Sequence, residues 1–129
     1  MEKNTLFVVA ENVTPEPAGS GIVRRILGND PQMMMVQVCF TKGSVGARHH
    51  HPHRQVTYVA EGRFSVTIGE DTRRLSPGDS FFVPPDVEHG VVAEDDGILI
   101  DVFTPAREDF LPPRKGPGAS GSAGTDNRY

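Results

Sequence analysis

The chain lacks a second cysteine, a surplus of positive charge and an apolar run long enough to cross a bilayer, and each absence removes a class of protein. Cys39 is the only cysteine in 129 residues, so no intramolecular disulfide staples the fold. It lies in the run Met33-Met34-Met35-Val36-Gln37-Val38-Cys39-Phe40, where a buried structural thiol is expected. A formal net charge of -4 argues against a nucleic-acid or anionic-membrane partner, because both require a basic surface. The basic pairs Arg24-Arg25 and Arg73-Arg74 sit among apolar residues and read as solvated strand faces rather than phosphate sites. The apolar stretch at the N-terminus, Leu6 to Ala10, is too short for a signal peptide or a membrane span. A soluble, cytoplasmic protein is expected. No helical period persists and no internal repeat is visible.

What is present is a series of short apolar or alternating runs. Candidate strands are Ile22 to Leu27, Met33 to Phe40, Val56 to Ala60, Arg63 to Ile68, Arg73 to Leu75, Ser80 to Val83, Gly90 to Ala93 and Ile98 to Phe103. Turn residues separate them. Gly62 and Gly69 can take positive φ, and Pro77-Gly78 suits the centre of a type II turn. Many short strands at this spacing predict an all-β sandwich or barrel, in a chain of single-domain size. Glu108 to Leu111 is a candidate helical turn. From Pro112 to Tyr129 the composition turns to Pro, Gly, Ser and Ala, which predicts a disordered tail after a folded domain of residues 1–111, with its core at about 20–111.

Chemistry-bearing residues concentrate in two places. Four of the five histidines are His49, His50, His51 and His53; the fifth, His89, lies far along the chain. Strand parity puts His49 and His51 on one face, with Gln55 if the strand continues, and His50 on the other. Pro52 interrupts the parity that His53 shares with His51. Imidazoles favour zinc, nickel, copper and iron, and an amide oxygen adds a harder neutral ligand. His-x-His spacing alone is weak support for a metal. The second place is Ile98 to Phe103, where Asp101 interrupts an apolar strand. A carboxylate there must be paired, hydrogen-bonded or facing a wet cavity. Leu99, Asp101 and Phe103 share one face, leaving Ile98, Ile100 and Val102 in need of cover from a second sheet or a second subunit.

The run G-x5-H-x-H-x3-Q-x6-G (Gly43, His49, His51, Gln55, Gly62) and the run G-x5-P-x-D-x2-H (Gly78, Pro84, Asp86, His89) resemble the two signature motifs of the cupin superfamily. The resemblance implies a single-domain double-stranded β-helix, or jelly-roll barrel, holding one divalent metal through His49, His51, Gln55 and His89. Zinc, nickel, iron or manganese would be the ion. Gln55 stands where many cupins have Glu, Asp86 where the motif has Gly, and Ala93 where it often has Asn.

Three further stretches, Arg24 to Gly28, His49 to Val59 and Asp101 to Phe110, are similar to the KdgF family of pectin-degradation cupins. That resemblance implies action on 4,5-unsaturated monouronates, promoting their conversion to linear keto sugars. It implies Asp101 as general acid/base, Arg107 as catalytic and as partner of the uronate carboxylate, and Phe103 as a substrate-packing residue. A homodimer is also implied. The competing readings are an aromatic polyketide cyclase, a cupin dioxygenase using iron or copper, and a non-catalytic sugar- or metal-binding module. A greasy cavity lined by Met34 or Met35, Phe81 or Phe82 and Leu99 would favour the cyclase; an Arg107 within reach of a carboxylate would favour the uronate.

Overall fold

The structure is a computed structural model and describes residues 6–112. The expected tail falls almost wholly outside those residues. Among the described residues ten strands form two antiparallel sheets: β1 (Glu16–Gly19), β2 (Ile22–Asp30), β3 (Met33–Phe40), β4 (Val45–His49), β5 (Arg54–Glu61), β6 (Phe64–Ile68), β7 (Asp71–Leu75), β8 (Ser80–Val83), β9 (His89–Ala93) and β10 (Gly97–Thr104). The larger sheet runs β1-β2-β3-β10-β5-β8 and the smaller β4-β9-β6-β7. Consecutive strands cross repeatedly from one sheet to the other, as in a jelly-roll barrel.

Alternation explains which side chains fill the space between the sheets. In β3, Met34, Val36, Val38 and Phe40 point inward, while Met35 and Cys39 point out. Cys39 is therefore half-buried on an outer face, not the buried thiol expected from its run. The parity of a strand outranks the local hydrophobicity around it. In β10, Leu99, Asp101 and Phe103 are buried; Ile98, Ile100 and Val102 are half-buried on the outer side.

Register gives the barrel two unlike ends. At one, Gly97 pairs with Phe40 and Phe64 with Ala93, and the Phe40 and Phe64 rings meet edge to face at 5.1 Å. At the other, Phe103 pairs with Gln55 and His49 with His89. The first end is dry core; the second collects the buried polar groups. Gly62 and Gly69 have φ of +75° and +61°, and Gly78 has +97°, as their turns require.

Arg24 corrects the expectation of a solvated pair. It shares the parity of Ile22, faces inward and is 5% exposed. Its guanidinium lies 3.7 Å from the Phe110 ring centroid and pairs with Glu16 at 3.3 Å. Stacking on the ring and ion pairing keep the buried head satisfied. Arg73 and Arg74 are exposed, paired with Asp71 and Glu94.

Candidate metal centre

His49 ends β4 and His89 begins β9, and the two are direct partners across the smaller sheet, with ring centroids 4.5 Å apart. After His49 the strand stops and the chain crosses to the larger sheet, where β5 carries Gln55 inward. Gln55 therefore joins the histidines from the opposite sheet, not by continuing one strand. His51 lies in the crossing itself. Its backbone carbonyl accepts from Asp86 N at 2.8 Å, tying the crossing to the loop that delivers His89. Asp86 has φ of +63°, which explains why glycine is usual at this motif position and why Asp is tolerated there. His50 is exposed, and His53 stays outside the cluster with its ring 5.4 Å from that of His51.

The donor atoms of His49, His51 and His89 all lie within 4.8 Å of one another, and all three residues are buried. Their tautomers follow from the backbone. Each Nδ1 donates to a carbonyl two residues away: His49 to Ala47 at 2.8 Å, His51 to His53 at 3.1 Å and His89 to Val87 at 2.9 Å. A carbonyl can only accept, so in His49 and His89 the proton sits on Nδ1; the same tautomer of His51, favoured by the His53 carbonyl, leaves its Nε2 lone pair to bind an ion. His89 Nε2 is buried with no hydrogen-bond partner.

Burial, helped by the positive charge of Arg107, favours the neutral form of His51 and His89. Burial, then the Arg107 guanidinium and the neighbouring rings, lower the pKa of His51 from 6.5 to about 4. Burial chiefly, and Arg107 to a lesser degree, also lower His89. Burial and Arg107 lower His53 as well. Neutral imidazole is the metal-binding form, so these shifts leave His51 and His89 without a proton to displace at neutral pH.

Gln55 completes the case. Its Nε2 donates to Thr57 Oγ1 at 2.9 Å and to Asp101 Oδ1 at 3.4 Å, so its Oε1 faces His51 Nε2 at 3.0 Å. With the His51 proton on Nδ1, two lone-pair acceptors face each other at hydrogen-bond distance. In that tautomer the two lone pairs repel, and a cation lying against both would relieve the contact. Two donors each about 2.1 Å from one ion stand about 3.0 Å apart when they subtend a right angle. Three imidazoles and an amide oxygen together make a neutral donor set suited to a divalent ion.

Asp101 is 1% exposed and accepts from Thr57 Oγ1 at 2.6 Å. Its Oδ1 also lies 3.4 Å from Gln55 Nε2. Arg63 pairs with Asp95 and Arg107 with Asp109. Arg107 is buried, at 2% exposed. It gives Nε and one Nη to Asp109, at 2.9 and 2.7 Å, while Nη1 is buried with no hydrogen-bond partner. Phe103 sits between these regions, its ring 5.7 Å from that of His51 and 5.1 Å from the Arg107 guanidinium. Met34, Phe81 and Leu99 are the inward members of the apolar positions considered; Met35 and Phe82 face outward. Sequence reasoning missed Thr57, although its parity with Gln55 placed a hydroxyl on the same inner face.

The sequence profile of the Cupin domain matches residues 36–103, and the chain belongs to the cupin family. Within that family it is 43% identical over 104 residues to the pectin degradation protein KdgF of Dickeya dadantii, covering 78% of this chain and 94% of the relative. Among solved structures, KdgF from Halomonas sp. aligns with a TM-score of 0.78 at 41% identity, over 81% of this chain and 97% of that one. An RmlC-like cupin from Shewanella frigidimarina aligns with a TM-score of 0.80 at 46% identity, over 86% and 97%.

Proposed function

We propose that this protein is a metal-dependent enzyme of pectin breakdown that promotes ring opening and ketonisation of 4,5-unsaturated monouronates. The observation that carries the reading is the opposed pair His51 Nε2 and Gln55 Oε1, 3.0 Å apart beside the His49 and His89 rings. Similarity to KdgF supplies the substrate class.

His49, His51, Gln55 and His89 would hold the ion, with zinc, nickel, iron and manganese all compatible with the donor set. When bound, a divalent ion supplies Lewis-acid polarisation of substrate oxygens. Asp101 carries the proton transfers needed to open the hemiacetal and protonate the enol carbon. Its carboxylate is held by Thr57 on the same inner face as Phe103. Arg107 binds the uronate carboxylate through Nη1, because Asp109 already occupies two other corners of the guanidinium. Phe103 packs on the sugar and excludes water. A small sugar acid is the partner.

The protein works in the cytoplasm as a homodimer. An apolar row crosses the outer face of the larger sheet, Phe82 to Val56 to Val102 to Met35 in direct register, and supports burial against a second copy.

The test follows loss of the conjugated-enol absorbance of an unsaturated galacturonate, using metal-loaded and chelated protein. Turnover by the loaded protein alone is expected. Equal decay with and without protein overturns the reading.

A further inference from the structure

We infer that Thr57 is the positioning residue that keeps the Gln55 side chain in its metal-binding orientation, acting as a latch between the metal ligand and Asp101. The inference rests on the metal-site reading above and deepens it.

A glutamine amide has two orientations differing by a half-turn, and only one offers its oxygen to a cation. A cation in the site favours the oxygen, but before the ion arrives the balance is different. The Nε2 lone pair of His51 is then an acceptor, and it would draw the amide NH2 of Gln55 towards itself. That turned amide would satisfy the imidazole and place a donor where the ion must go. Something on the far side of the amide has to oppose it.

Thr57 is that group. It lies two residues along β5 from Gln55, on the same inner face and fully buried. Its single hydroxyl hydrogen goes to Asp101 Oδ1 at 2.6 Å, within the short range of charge-assisted O–H···O bonds. The hydroxyl can then only accept from Gln55, and the amide NH2 supplies that bond at 2.9 Å. The longer contact of the same NH2 with Asp101 Oδ1, at 3.4 Å, pulls the same way. Turning the amide would set its oxygen against a hydroxyl lone pair and a carboxylate oxygen, both acceptors. The polarity of the chain therefore runs in one direction, from the acceptor-only carboxylate, through the hydroxyl, to an amide oxygen aimed at the ion.

This also accounts for Gln rather than Glu at position 55. A glutamate has no hydrogen to give Thr57 at neutral pH, and it would bring a second carboxylate beside Asp101. The amide offers an acceptor to the metal and a donor to the acid/base from one side chain.

The experiment is competitive chelator titration of Zn²⁺ and Ni²⁺ into metal-stripped protein, with circular dichroism as the folding control. Thr57→Val keeps the shape and removes the hydroxyl; Thr57→Ser keeps the hydroxyl. Loss of a group that orients a metal ligand costs roughly 10- to 100-fold in affinity. We expect a loss in that range for Thr57→Val and near wild-type affinity for Thr57→Ser. If Val is not accommodated, Thr57→Ala makes the comparison without added bulk. A folded Thr57→Val that binds both ions as tightly as wild type overturns the latch while leaving the metal site intact. A wild-type protein that binds neither ion overturns the metal-site reading itself.

Discussion

The two sheets carry different halves of the chemistry and meet solvent differently. The smaller sheet supplies His49 and His89 as a registered pair, and its outer face is laced with ion pairs: Arg48 to Glu88, Arg73 to Asp71 and Arg74 to Glu94. The larger sheet supplies Gln55, Thr57, Asp101 and Phe103, and its outer face carries the row Phe82, Val56, Val102 and Met35. Imidazole lone pairs come from one side, and carboxylate and hydroxyl come from the other. An ion bridging them would clamp the barrel at its polar end, so metal binding and fold stability are coupled.

The largest effect should come from breaking the clamp. His89→Ala removes one ligand of the registered pair, and we expect stoichiometric metal binding and uronate turnover both to be lost. Chelation of the wild type should do the same and lower its melting temperature. An ion at 100 times its Kd adds about 2.7 kcal/mol. For a domain of this size that is roughly 10 °C or more in a thermal melt. A chelated protein that melts with the loaded one would break the idea that the ion joins the sheets.

Asp101→Asn separates the two halves. Asn keeps an acceptor for the Thr57 hydroxyl, so metal affinity should be preserved while proton transfer is lost. The expected fall in kcat is about 10²- to 10⁴-fold, with KM little changed. Turnover at the wild-type rate would remove Asp101 as acid/base.

Much of this division was legible in the sequence because it rests on parity and spacing. Leu99, Asp101 and Phe103 share the inner face of β10 as alternation predicts, and His49, His51 and His89 converge without His50 or His53, although His51 lies beyond the end of β4 and not on a strand face shared with His49. What alternation could not supply was where a strand ends. β4 stops at His49, so Gln55 approaches from the other sheet, a long-range fact that no local pattern encodes. β1 was missed altogether because Glu16-Pro17-Ala18-Gly19 has neither an apolar run nor β-propensity, and it is held by pairing with β2. Arg24 was misread because its charge suggested solvent, although its parity with Ile22 already placed it inside. Arg107 was placed at the site by resemblance, but its sharing between Asp109 and an open Nη1 depends on the turn of Glu108–Phe110.

A smaller effect should appear with pH. His51 titrates near 4 in the folded protein and near 6.5 when unfolded. Between those values the unfolded chain takes up a proton that the folded one refuses, so stability falls as pH drops from 6.5 to 4 and is unaffected by this group above 6.5. Urea melts of metal-stripped protein at several pH values measure the slope. Arg107→Met removes one cause of the low value, so His51 should titrate higher and the acid-side slope should become shallower. An unchanged slope would place the guanidinium's charge outside the reach of His51.

The smallest effect should be found where the smaller sheet meets water. Arg73 and Asp71 are 77% and 65% exposed at the side chain, and their pairing at 3.2 Å competes with solvent and salt. Arg73→Ala should therefore change stability by no more than about 0.5 kcal/mol and leave oligomeric state untouched. The matching change on the larger sheet is Phe82→Asp. Phe82 is 52% exposed in the single chain, so a charge there need not disturb the core. In a dimer joined through the apolar row, the same charge would be buried against a second copy without a partner and would drive the subunits apart. Sedimentation of the two variants beside wild type decides the point. A Phe82→Asp protein that sediments like wild type would show that the row is not the subunit interface, and the contrast between the two outer faces would then be one of composition alone.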